Sequence, residues 1–283
     1  MRARLIVTTI VAGGLALAIG GTMALAGKQG AGGTASTANY PDLRAIVPAH
    51  LQLVNQQQRE TLRFSNGIAN TGGGPWALRP EPELGTAPVT TAIQEIRSSN
   101  AQHLCGTQPK PSDPCFTVLE EITTTTFEYH EAHHHWHTAD VARFEVRKGN
   151  PTTGQTVGGN SIKVGFCLID VYKIDGNAPT SQKTFWDCYT SFQGVSVGWV
   201  DQYHQATDGQ QLDLTGVPNG NNYYLVTTTN PTGIFREQNL TNNTEWVKFT
   251  LSGSAGGNRK ITVTDHSPCE NPGMCGERAT NRG

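Results

Sequence analysis

The chain predicts an all-β fold, a single-domain β-sandwich with long loops and little helix. Three observations carry this expectation. Short apolar, β-branched stretches recur along the 283 residues. Clusters of Gly, Asn and Pro separate them, as turns between strands require. No long stretch repeats its apolar residues with the helical period. The strand candidates in order are Phe116 to Val118, Ile122 to Tyr129, Val141 to Val146, Ser161 to Tyr172, Tyr223 to Thr228, Trp246 to Leu251 and Lys260 to Val263. Turn-rich segments fall at Gly149–Gly154, Gly176–Pro179, Pro218–Asn222 and Gly253–Asn258. Asn55 to Arg63 (NQQQRETLR) is the one place that reads as a turn or two of helix, from its Gln, Glu and Arg content.

The first 26 residues read as a signal peptide. Arg2 and Arg4 precede an apolar run to about Leu25, which closes as Ala24-Leu25-Ala26, a peptidase-like pattern. Residues 27–39, rich in Gly, Ala, Ser and Thr, read as a flexible linker, and residues 40–283 as the folded domain. No other stretch is apolar enough to span a bilayer, so the mature chain is expected to be secreted and free of membrane. Losing the leader removes two arginines and no acid, leaving 19 basic against 23 acidic side chains. That balance, with no basic run, argues against a nucleic-acid partner. Six cysteines, Cys105, Cys115, Cys167, Cys188, Cys269 and Cys275, suit an exported, disulfide-bonded chain, and sequential pairing is favoured.

Five of the nine histidines lie in His130-Glu131-Ala132-His133-His134-His135-Trp136-His137. An all-imidazole set of this kind suits copper. Two ligand sets can be drawn. His130-Glu131-x-x-His134 matches a zinc-protease motif, which needs a helix to bring residues i and i+4 onto one face. The flanking runs, Thr123 to Tyr129 and Val141 to Val146, are β-prone and argue against that helix. The second set is His133, His135 and His137, which share one face of a strand. A flat strand would set successive Cα atoms of this set roughly 6.6 Å apart, too far for one ion with bonds of about 2 Å. The segment is therefore expected to curl or bulge.

The run Tyr129 to His137 resembles the copper segment W-H-x-C-H-x-H-x-H of the lysyl oxidase family. Tyr129 stands for Trp, Ala132 for Cys, and His134 is an added imidazole. Other segments match in the same order: Leu62-Arg63-Phe64 with Asn70-Thr71-Gly72 and Arg79-Pro80; Lys163-Val164-Gly165-Phe166-Cys167-Leu168-Ile169-Asp170; Gln193-Gly194-Val195-Ser196 with Asp201-Gln202-Tyr203; and Thr241-Asn242-Asn243. The resemblance implies copper on His133, His135 and His137, and a lysine tyrosylquinone made from Lys163 and Tyr203. It implies a secreted enzyme that oxidises primary amines with O₂ to aldehydes, releasing ammonia and H₂O₂. Losing the Cys at 132 removes a disulfide that would brace the copper segment. Asp201 is the candidate base, because on an extended chain it shares a face with Tyr203. His204 and His130 are candidates for supporting roles. Asp42, Leu43, Glu237, Asn239, Asn242 and Asn243 fall where family members hold calcium, and their oxygens suit that ion. The competing readings are a zinc protease and a non-catalytic copper-binding or copper-storage protein. The amine, peptidyl lysine or a smaller one, and the oligomeric state are not legible.

Overall fold

The computed structural model describes residues 40–56, 58–82, 88–97, 118–131, 134–159, 162–176, 183–188, 192–255 and 257–276. The leader, the linker, Cys105, Cys115 and His133 lie outside these. The strands, in chain order, are β1 (Leu43–Ala45), β2 (Ala49–Gln56), β3 (Arg59–Asn70), β4 (Trp76–Glu81), β5 (Val89–Arg97), β6 (Val118–His130), β7 (His135–Lys148) and β8 (Gln155–Thr156). They continue as β9 (Ile162–Phe166), β10 (Tyr172–Lys173), β11 (Gln193–Val195), β12 (Trp199–Tyr203), β13 (Gln211–Asp213), β14 (Gly220–Thr229), β15 (Thr244–Ser252) and β16 (Lys260–His266). The described residues contain no α-helix, and a single 3₁₀ turn at Pro272–Met274.

Two antiparallel sheets make the sandwich. The smaller runs β1-β3-β12-β10, with β2 and β13 also paired to β3. The larger runs β11-β4-β5-β6-β7-β14-β15-β16, with β8 and β9 on β7. The core lies between them. Leu62, Phe64 and Ile68, alternate residues of β3, are fully buried against Trp76, Leu78, Phe127, Val141 and Phe144 of the larger sheet. Alternation puts such residues on one face, and its apolar character is why this stretch folds as a half-buried strand. Ala69 and Val200 face the other way, into a smaller cluster with Ile46 and Tyr172.

The helix expected at Asn55–Arg63 does not form. Residues 49–56 and 59–70 are instead two paired strands turning near Gln58, which has φ 67°. Burial of Glu60, Leu62 and Phe64 at period two outweighs the helical preference of Gln, Glu and Arg. The strand expected from Ser161 to Tyr172 also breaks at Phe166, leaving β9 and the two-residue β10. Of the sequential disulfides, Cys167–Cys188 and Cys269–Cys275 are present. Cys105 and Cys115 lie outside the described residues.

Packing at the centre is tight. The Phe64 and Phe144 rings meet edge to face across the sheets, centroids 4.9 Å apart. Phe144→Ala is expected to cost about 3–5 kcal/mol, the range for a buried aromatic replaced by a methyl. Urea unfolding of the metal-free protein measures it.

Candidate functional site

The histidine segment forms a hairpin, not a helix. In the β6–β7 pair His130 lies opposite His135, and Glu128 opposite His137. The intervening turn closes with His134 N–H donating to His130 O at 2.9 Å, and His134 takes a positive φ of 56°. The zinc-protease set is thus broken up, since His130 ends one strand and His134 sits in the turn. The expected curl lies at this turn, immediately before the strand that carries His135 and His137.

His135 and His137 share a face of β7, and their Nε2 atoms stand 3.0 Å apart. Two imidazole nitrogens at that separation, with bonds of about 2.0–2.1 Å, subtend roughly 95° at a metal, close to the right angle of tetragonal copper(II). The same separation suits an N–H···N hydrogen bond when no metal is held. His130 stacks on His137, with centroids 4.8 Å apart and planes 25° apart. Among the described residues no set of three His, Cys, Asp or Glu side chains gathers at metal-binding distance. His133, the third expected ligand, lies outside them. The pair therefore fits a copper ion in donor type and spacing.

Gln193 anchors this strand, a role the sequence reading missed although its segment was recognised. Its buried amide donates to Trp136 O at 2.8 Å, while its oxygen accepts from Thr138 Oγ1 and Leu168 N, each at 3.2 Å. The backbone on either side of His137 is thereby tied to the segment that follows β9. Ala132 leaves this chain without the family's bracing Cys, and Gln193 braces the same strand from within.

Tyr203 ends β12 on the core side of the smaller sheet. Its ring stacks on Phe166 with centroids 3.9 Å apart and planes 24° apart, and its hydroxyl donates to Cys167 O. Phe166 is in turn the cross-strand partner of Thr138, next to His137. The imidazoles leave β7 on the face opposite Trp136 and Thr138, so β7 stands between them and Tyr203. Burial, with Asp201 close by, pushes the Tyr203 hydroxyl well above its ordinary pKa. Lys163 occupies β9 opposite Arg143, three residues before Phe166. Its side chain lies outside the described part.

Asp201 shares the inner face with Tyr203, as expected of residues two apart on a strand, and is 1% exposed. Neither carboxylate oxygen finds a partner of good hydrogen-bond geometry. Burial raises its pKa well above 3.8; the nearby Tyr203 hydroxyl pulls it down, and the charge of Asp170 pushes it further up. Asp170 is also buried, but accepts from Ser196 N and Oγ, Thr184 N and Phe185 N at 2.8–3.1 Å. It organises the loops around the site. His204 lies apart from the cluster, its ring 5.9 Å from that of His50.

The residues expected to hold calcium are joined by hydrogen bonds. Asn242 Nδ2 reaches both Asp42 oxygens at 3.1 Å. Glu237 accepts from Leu43 N and Asn243 Nδ2, both at 2.7 Å. Burial raises the Glu237 pKa, with a smaller push from Asp42. The side-chain oxygens of Asn242 and Asn243 are buried without partners. Asn239 is turned to its own loop, accepting from Thr241 N and Oγ1.

The sequence is similar to known proteins. A family profile for lysyl oxidase matches residues 116–260, half of the chain. The chain belongs to the lysyl oxidase family. It is 34% identical to human lysyl oxidase homolog 1 over 119 residues, 42% of this chain and 19% of that protein. Against human protein-lysine 6-oxidase it is 30% identical over 119 residues, 26% of that protein. Against the pig protein-lysine 6-oxidase it is 29% identical over 128 residues, 48% of that protein. The matched stretch thus spans about a fifth to a half of these relatives' length. The profile covers the histidines, Lys163, Asp201, Tyr203 and Glu237–Asn243, while Asp42 and the Leu62–Pro80 segments lie before it.

The Asp201 carboxyl has a pH signature. Its folded pKa stands above the unfolded 3.8, so the folded chain holds that proton more tightly. The resulting stability is full below the unfolded value and is lost as pH rises through the folded one. Asp201→Asn removes this loss. Its stability relative to the parent is expected to climb as pH rises above the unfolded value, in urea melts of metal-free protein. A flat difference would refute the raised pKa.

Proposed function

We propose that this chain is a secreted copper amine oxidase that converts primary amines and O₂, with water, to aldehydes, ammonia and H₂O₂. The observation that carries the reading is the 3.0 Å pair of His135 and His137 nitrogens on β7, whose neighbour β9 carries the Phe166 that stacks on Tyr203. His133, His135 and His137 would hold copper. Lys163 and Tyr203 would be the precursors of a lysine tyrosylquinone, the group that accepts electrons from the amine. The human and pig relatives are protein-lysine 6-oxidases, and peptidyl lysine or a smaller primary amine is the substrate class proposed for this chain.

The chain's own residues have definable parts. Phe166 holds one face of the Tyr203 ring and keeps water from it. Asp201, buried on the same face of β12 as Tyr203 and with its pKa raised by burial, would take a proton from the carbon next to the amine nitrogen. Gln193 keeps the His137 backbone in register. His130, stacked on His137, limits that imidazole's rotation. Two disulfides fit an oxidising compartment, and no helix among the described residues is long and apolar enough to cross a membrane. Asp42, Glu237, Asn242 and Asn243, with Leu43, would form a calcium site that stiffens the junction between the start of the domain and the β14–β15 loop. Asn239 would contribute only by turning from Thr241.

Peptide mass spectrometry on copper-loaded protein tests the central point. A peptide joining Lys163 to Tyr203 is expected in the parent chain, and is expected to vanish in Tyr203→Phe and His135→Ala together with amine-dependent H₂O₂ release. Both residues unmodified after copper and O₂ would leave a copper-binding protein without this cofactor. Gln193→Ala is expected to weaken copper binding about 10–100-fold, the usual effect of removing a group that orients a ligand. Competition with a chelator of known affinity reads it.

A further inference from the structure

The inner face of β3 carries Leu62, Phe64, Asn66 and Ile68 in alternation. Three of these are apolar and fully buried, and Asn66 interrupts them at 1% exposure. Asn66 is the cross-strand partner of Tyr203. Residues directly opposite in an antiparallel pair share a face, with Cβ atoms about 4.5–5.5 Å apart. The Asn66 amide is therefore beside the Tyr203 ring, inside the core.

Both polar atoms of that amide, Oδ1 and Nδ2, lack a hydrogen-bond partner. The Tyr203 hydroxyl, which donates to Cys167 O, makes no hydrogen bond with either atom. Buried amides with a structural task are satisfied, and the same strand supplies the comparison. Asn70, also buried, donates to Gly74 O and Val195 O, and accepts from Asp42 N and Gly72 N. Replacing Asn66 by an apolar residue would suit the unmodified core better, since an unmet buried amide costs stability. Its presence points to a partner acquired later. A phenol ring offers one oxygen; the ring of a tyrosine-derived quinone carries a second, which accepts hydrogen bonds.

We infer that Asn66 is a positioning residue for Tyr203, its Nδ2 donating to the oxygen that the ring gains when it is oxidised with O₂ as the oxidant. The inference rests on the amine-oxidase reading and deepens it. The hydrogen bond sets the rotation of the ring about its bond to the chain, and polarises the ring oxygen that it holds.

The test compares the parent with Asn66→Leu in two states, metal-free and copper- and O₂-treated. In the metal-free state Asn66→Leu is expected to melt at or above the parent temperature. After treatment its visible quinone band is expected to shift, and its yield of the Lys163–Tyr203 peptide to fall about tenfold, the scale of other orienting contacts. Asn66→Ser, which shortens the side chain without adding bulk, covers the case in which leucine does not fit. The same band shift is expected there. A lower metal-free melting temperature with an unchanged band and yield would make Asn66 merely structural and overturn the inference. A parent chain that forms no cross-linked peptide overturns the amine-oxidase reading and this inference together. A parent that forms it, beside variants with an identical spectrum, overturns this inference alone.

Discussion

Strand β3 is paired along both edges, by β1 and β2 on one side and by β12 and β13 on the other. This double pairing is the constraint on which the site depends. Leu62, Phe64 and Ile68 must face the larger sheet to close the core, and a slip of one residue would turn them all outward. The register so locked also aims β12. Asp201 falls opposite Ile68 and Tyr203 opposite Asn66, on the inner face, while Val200 packs into the smaller cluster with Ala69. Asp201 is buried and Tyr203 half-buried because their strand neighbours must face the core.

Burying polar groups this way is tolerable only where hydrogen bonds replace water. Two residues show that replacement in the loops beside the site. Asp170 gathers Ser196 and the backbone at Thr184 and Phe185, joining the loop closed by Cys167–Cys188 to the end of β11. Gln193 links β7 to Leu168. Between them they hold the segment that carries Phe166 and Cys167, the two contacts of the Tyr203 ring, without any covalent brace at position 132.

The architecture was legible where physics acts locally. Alternating apolar residues at Val141–Val146, and turn clusters at Gly149–Gly154 and Gly253–Asn258, mark β7 and the ends of β8 and β16 as the structure has them. Asn55–Arg63 misled, because its composition favours helix, while the hairpin it forms is held by burial of Leu62 against a core and a β13 that are distant in sequence. Motif order identified the family and the residues to inspect. It could not reveal Gln193 or Asn66 as acting groups, since their meaning lies in cross-strand register. Nor could it show that β7 separates the imidazoles from Tyr203, which follows from the alternation of His135, Trp136, His137 and Thr138.

Hydrogen-bond satisfaction draws a line that neither burial nor motif draws alone. Asn70, Asn230 and Gln193 are buried amides whose polar atoms are taken up by neighbouring chain, and each ties one segment to another. The buried side-chain amides with an unpartnered atom, among the described residues, are Asn66, Gln205, Gln210, Asn242 and Asn243. Asn66 lies opposite Tyr203, Gln205 follows it by two residues, and Gln210 abuts Phe64. Asn242 and Asn243 belong to the proposed calcium set. An orphaned amide costs free energy in a finished core. Asn66, opposite Tyr203, and Asn242 and Asn243, in the proposed calcium set, bear that cost where a group that the polypeptide alone does not supply would sit.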